Sequence, residues 1–234
     1  MEPQDAAPHY RERLVTLPGL GTHYNIPAAR GEGTRGEFGL PEDARLYLVP
    51  QSLFKIHPDN DALLAEVMAR DAKGRLVVFA AHYEAINAAF KGRLVESLAR
   101  HGLQLDERVI FLPYMTHAQY LRVNHVADVM LDTLHWSGGN TTLDALAAGL
   151  PLVTLPGGFM RGRQSAAMLR LIGVDDLVAA DRGDYIDKAV KIAADRELRA
   201  SLAARIQEGL PTLFNRDEPI RELENFLERA VKVQ

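Results

Sequence analysis

A chain of 234 residues, 47% hydrophobic and 25% charged, has an ordinary globular composition and room for one large or two small domains. Its formal net charge of -4 argues against a general nucleic-acid binder, whose phosphate contacts need clustered Lys and Arg. The absence of cysteine excludes disulfides, thiolate metal sites and a cysteine nucleophile. No apolar run approaches a membrane span and the first residues lack a secretory h-region, so a cytoplasmic protein is expected.

Residues 1–43 read as a linker-like segment, rich in Pro and Gly, with one short strand at Arg13 to Leu17. Residues 44–234 read as the folded body. Arg45 to Val49 is a strand, followed by a loop bearing Gln51, Ser52 and Lys55. Asp61 to Arg70 has helical spacing, Arg75 to Ala80 is a buried strand, and Ala85 to Arg100 is an amphipathic helix. Val109 to Leu112 is the next strand, and His117 to Asn124 a short helix. An apolar run at Val126 to Leu131 is too short for a helix. After it come Gly138 and Gly139, the polar cluster Asn140, Thr141 and Thr142, and a helical pattern that stops at Gly149-Leu150-Pro151. Leu152 to Leu155 closes this βαβ unit. Tyr185 to Ala194, Glu197 to Gln207 and Pro219 to Val231 are helical patterns.

Strands that alternate with helices, each strand continuously apolar, predict an α/β fold: a parallel sheet with helices on both faces. Ligands of such sheets bind beyond the strand C-terminal ends. The loops that carry polar residues all follow strands: Gln51 to Lys55, Tyr114 to His117, His135 to Thr142 and Pro156 to Arg163. In the third, glycines permit close backbone approach, Asn and Thr are good N-cap residues, and a helix N-terminus favours a phosphate. Thr141 and Thr142 offer hydroxyl donors. An ordinary capped helix after a tight turn accounts for the same residues. Asp144, one turn into the helix, is either a ribose acceptor or a carboxylate that complements the helix dipole.

The segment SGGNTTLDALAAGLPLVTLPG resembles the donor-binding motif of the protein O-linked N-acetylglucosamine transferase family, especially its bacterial and SPINDLY-like members. The resemblance extends to QSLFKIHPD (Gln51 to Asp59), RVIFLPYMTHAQYL (Arg108 to Leu121), ADVMLDT (Ala127 to Thr133) and GGFMRGRQSAAML (Gly157 to Leu169). It covers roughly Leu14 to the C-terminus, with the motifs in order. It implies a Rossmann-like domain, the C-terminal half of a two-Rossmann (GT-B) glycosyltransferase, that binds a nucleotide sugar over residues 44–234. The donor is then a UDP-sugar, UDP-N-acetylglucosamine first and GDP-fucose as the alternative. The acceptor is a Ser or Thr of a protein, and transfer is inverting. No separate cofactor is implied and no metal, since no Asp-x-Asp cluster lies in a sugar loop.

By the same resemblance Lys55 contacts the donor's β-phosphate and stabilises the departing diphosphate. Gln51 or Ser52 aligns with an amide facing the diphosphate, the register being open by one residue. The backbone of Tyr114, Met115, Thr116 and His117 frames the nucleobase, with His117 where animal members carry a lysine. Gly138, Gly139, Asn140, Thr141, Thr142 and Asp144 hold phosphate and ribose, and Arg163 matches a family arginine where Arg161 does not. His135 and Trp136 wall the sugar pocket, or Trp136 packs between domains. The family's first Rossmann half has no counterpart here, so a fragment, a truncated product or half of a split enzyme is expected, with an N-terminal catalytic half as a partner. A non-catalytic nucleotide-sugar-binding remnant is the reading from a different class, and a sugar-nucleotide epimerase a weaker one.

Overall fold

Leu46, Tyr47, Leu48 and Val49 are buried without a break along the first strand, which requires both faces of its sheet to be covered. The computed structural model describes residue 2, residues 5–27 and residues 33–232. Part of the expected linker, residues 28–32, lies outside the described residues. The sheet comprises β1 (Arg45–Val49), β2 (Gly74–Phe79), β3 (Val109–Leu112), β4 (Val129–Leu131) and β5 (Leu152–Val153). All pairings are parallel and the order is β3-β2-β1-β4-β5.

Helices alternate with the strands: α1 (Asp59–Arg70), α2 (Glu84–Ala99), the short α3 (Leu105–Arg108), α4 (His117–Val126), α5 (Asn140–Ala147) and α6 (Gln164–Leu171). Then follow α7 (Arg182–Ala194), α8 (Arg196–Gly209) and α9 (Glu218–Lys232). The chain steps outward from β1 through β2 to β3, then returns across β1 to β4. The loops leaving β1 and β4 therefore diverge, and the crevice between them is where such sheets bind ligands. Leu48 pairs with Met130 across this switch point, both fully buried. Each such side chain contributes about 1.5–3 kcal/mol by its removal from water.

The expected α/β architecture is present, with differences that have physical reasons. Residues 13–17 form no strand; a strand needs a ladder partner for its N–H and C=O groups, and this segment pairs with none. Val126 ends α4 and the fourth strand starts only at Val129. The last strand stops at Val153, because Thr154 bridges to Val178 instead. The anticipated helices are present with ends moved by one to three residues, whereas α6 was not read from the sequence at all. Leu20, Tyr24, Ile26 and Phe38 pack against the common core, and the Asn215 N–H donates to the Tyr24 carbonyl at 2.7 Å.

Candidate donor-binding site

The turn after β4 is built around Asp132. This buried carboxylate accepts from Ser137 Oγ, Thr154 Oγ1 and the Gly138 N–H, each at 2.7 Å. Burial pushes its carboxyl up from the ordinary carboxylate range, against the pull of the Thr154, Gly138 and Ser137 donors. Ser165 extends the network: its Oγ lies 2.8 Å from Ser137 Oγ and 2.7 Å from Thr142 Oγ1. A Cβ added at Gly138 would meet Thr142 Oγ1 at 2.4 Å and Thr141 Oγ1 at 2.7 Å, so only glycine fits there.

This packing sets what the start of α5 can offer. The N-cap is Gly139 rather than Asn140 or a threonine, and no side chain caps the helix. Asn140 is instead the first helical residue, with its side chain exposed. Thr142 is a second correction. Its hydroxyl is fully buried against Ser165, so it holds the turn from inside and faces no ligand. Among the described residues the amides of Gly139, Asn140 and Thr141 donate to no acceptor. Three free N–H groups at the positive end of a helix dipole are the kind of donor set that anions favour.

Around this terminus the structure gathers the other expected residues. Lys55 ends a 3-10 turn, Leu53–Lys55. Its Nζ lies 5.3 Å from the Trp136 ring centroid, and it has no carboxylate within ion-pair distance among the described residues. Gln51 is buried and structural: its Nε2 donates to the Trp136 carbonyl at 3.2 Å while its Oε1 accepts the Ser52 N–H at 3.0 Å. It ties the β1 loop to the β4 loop, and this leaves one N–H of its amide for a ligand. Ser52 is exposed beside it.

Thr116 caps α4 in a reciprocal box with Gln119, which fixes His117 at the first helical position. The His117 ring stacks on Tyr120, centroids 6.0 Å apart and 19° between planes. His117 Nε2 stands 3.6 Å from Asp144 Oδ2. Burial raises the Asp144 carboxyl, with His117 opposing. These rings line a cleft of about 520 Å³ that also takes in Gln51, Phe79, Tyr83 and Met115, a size suited to a small organic ligand. Tyr114 stands at its mouth, 82% exposed. A second cleft, about 610 Å³, includes Arg35, Asp128 and Arg199. It lies at the other end of the strands, and both arginines are already paired with Asp128.

Arg163 lies at the N-cap of α6, where its Nη2 pairs with Glu2 at 3.0 Å and its Nη1 donates to the Gly158 carbonyl. Arg161 stacks on Phe159 instead. The sequence reading missed Tyr120, Asp132 and Ser165. Tyr120 stood inside a quoted motif, three residues from His117, the spacing at which helical side chains meet. Ser165 lies 28 residues from Ser137 and nothing local announces the contact. Among the described residues, those that could hold a metal ion are His57, Asp59 and His135.

A 3-2-1-4-5 parallel sheet, with an open helix N-terminus after β4 and an aromatic cleft over the loops after β1, β2 and β3, defines a Rossmann-like α/β domain. The sequence model of glycosyl transferase family 41 matches residues 20–220, and the chain belongs to that family. It is 26% identical over 196 residues to the UDP-N-acetylglucosamine–peptide N-acetylglucosaminyltransferase of Caenorhabditis elegans, covering 83% of this chain and 16% of that protein. Similarity to a Solanum lycopersicum protein named "Probable UDP-N-acetylglucosamine--peptide N-acetylglucosaminyltransferase SPINDLY" is 25% over 208 residues, 88% of this chain and 22% of the other. The structure of a mutant Thermobaculum terrenum O-GlcNAc transferase superposes with a TM-score of 0.82 at 28% identity, over 97% of this chain and 42% of that one. The chain thus spans about a fifth of the length of these curated relatives.

Proposed function

We propose that residues 44–234 are the donor-binding unit of a protein O-glycosyltransferase that uses a UDP-sugar, UDP-N-acetylglucosamine in the first instance. The observation that carries this is the set of three unpaired amides, Gly139, Asn140 and Thr141, at a helix start that shares its sheet edge with Lys55 and the His117–Tyr120 stack. In this reading the diphosphate rests on the amides, the base enters the aromatic cleft, and Asp144 accepts from the ribose. The acceptor hydroxyl, supplied with the remainder of a two-domain enzyme, attacks the anomeric carbon from the face opposite the diphosphate. The carbon–oxygen bond to the β-phosphate breaks with inversion, the electron pair leaves on the nucleoside diphosphate, and the acceptor hydroxyl's proton is released to water. Lys55 and the amide dipoles stabilise that charge as it develops, which is the work a metal does in other transferases.

The names of the relatives support the UDP-sugar; GDP-fucose is the alternative donor, and a non-catalytic binding module the alternative role. Saturation-transfer difference NMR separates the two donors, and transfer of labelled sugar to a Ser/Thr-rich acceptor separates the two roles. UDP-N-acetylglucosamine at millimolar concentration should show saturation of its uracil protons, reduced in Tyr120→Ala. Stronger saturation from GDP-fucose would shift the donor assignment. No transfer to either ligand would overturn the site.

A further inference from the structure

Beside the donor cleft lies a cluster for which the proposed transfer has no use. His57 and Asp59 follow β1 at the start of α1, and His135 follows β4. His135 Nε2 is 2.7 Å from Asp59 Oδ2, and His57 Nδ1 is 3.4 Å from the same oxygen. The two imidazoles meet edge to face with centroids 4.6 Å apart. One donor atom from each of the three residues lies within 4.8 Å of the other two.

The loops that bring these side chains together are locked by Asn60, which is 1% exposed. Its Oδ1 accepts the Leu134 N–H at 2.8 Å, and its Nδ2 donates to the His57 carbonyl at 2.9 Å. One buried amide thus fixes the backbones that carry both histidines. His135 has a φ of 68°, a left-handed conformation that a residue other than glycine keeps only where its surroundings hold it. Asp59 donates its own N–H to His57 Nδ1 at 3.2 Å, so that nitrogen bears a lone pair in the neutral ring.

We propose that His57, Asp59 and His135 form a binding site for a late first-row divalent ion of the zinc type. Two neutral imidazoles and a carboxylate are the ligand chemistry that such ions prefer, whereas magnesium and calcium demand oxygen alone. Bonds of about 2.0–2.2 Å from a tetrahedral ion place its ligand atoms about 3.4 Å apart. The two separations from Asp59 Oδ2, 2.7 and 3.4 Å, lie below and at that figure, and because all three side chains are exposed, small torsions close them around an ion, with water in the fourth position. Arg182 Nη1 donates to the Asp59 carbonyl at 3.4 Å; this nearby positive charge sets the expected affinity at micromolar rather than tighter. A bound ion would staple the β1 and β4 loops beside Trp136, the residue that Lys55 faces. The site needs no nucleotide sugar and stands apart from the transferase reading.

The test is a calorimetric titration of the full chain with zinc chloride at neutral pH, with cobalt absorption as a report of tetrahedral coordination. One ion should bind per chain. His57→Ala and His135→Asn should each weaken it by about tenfold or more, the scale on which metal-site substitutions act. Asparagine at 135 tolerates the left-handed backbone, and near-ultraviolet circular dichroism confirms that both variants keep their packing. His101→Ala, an exposed histidine at the far end of α2, should leave binding unchanged. No zinc binding at millimolar concentration would overturn the site, as would binding that survives both cluster variants.

Discussion

In the proposed site Asp144 and Lys55 carry opposite charges, and their surroundings assign them different parts of the ligand. Asp144 is held against His117 at 3.6 Å, on the side of the aromatic cleft, where a ribose sits if the base enters that cleft. Lys55 lies over Trp136, a residue of the loop that leads into the glycine turn. Asp144→Ala should therefore weaken nucleoside diphosphates while leaving inorganic pyrophosphate nearly unchanged. Lys55→Ala should weaken both by about 1–3 kcal/mol, the scale of a charge-assisted hydrogen bond. Equal losses for UDP and pyrophosphate in both variants would abolish that division. Asp61 offers a check at pH. Burial raises its carboxyl to about 6, with Arg93, 3.1 Å away, opposing. A raised acid holds its proton more tightly folded than unfolded. Its contribution to stability is thus complete below the ordinary carboxylate pKa of about 4 and lost as pH rises through about 6. Thermal melts between about pH 4 and pH 7 should show this downward component in the wild type and not in Asp61→Asn.

At the scale of elements, the start of α5 depends on a glycine chosen by its neighbours. Gly138→Ala sets a Cβ 2.4 Å from Thr142 Oγ1, an atom that Ser165 already holds. The turn must shift, and the free amides of Gly139, Asn140 and Thr141 lose their common aim. UDP binding should fall by about tenfold or more, equivalent to about 1.4 kcal/mol, with the far-ultraviolet spectrum preserved; unchanged affinity would show that the amides do not hold the ligand. Much of this architecture was legible in the sequence. Unbroken apolar strands gave a doubly covered parallel sheet, and punctuation by Gly and Pro gave the βαβ unit. The family's motifs then located the loops. The rest depended on contacts that no local pattern encodes. Gln51 ties to the Trp136 carbonyl, Thr142 to Ser165, and Gly139 is the N-cap of α5. Arg13 to Leu17 has the composition of a strand without a neighbour to pair with.

At the scale of the whole molecule, the described residues build one Rossmann-like layer with an open site. Tyr114 is 82% exposed at its mouth, Phe159 is 68% exposed, and α9 carries Leu227 and Val231 facing solvent. In the proposed reading such a site binds a donor but leaves each contact to the leaving diphosphate wet and so weakened. Without an oriented hydroxyl it also forgoes the proximity contribution, about 7–11 kcal/mol in well-aligned systems. The 234-residue chain assayed by itself should consequently bind donor without glycosylating a Ser/Thr-rich acceptor; labelling from UDP-N-acetylglucosamine that depends on Lys55 would make it a complete enzyme.

The central claim, that this sheet edge is a nucleoside diphosphate site, is tested most directly by calorimetric titration of the chain with UDP. The geometry predicts a dissociation constant between micromolar and millimolar, about -8 to -4 kcal/mol, weakened in Lys55→Ala and in Gly138→Ala. No measurable heat from UDP or GDP at millimolar concentration would contradict it.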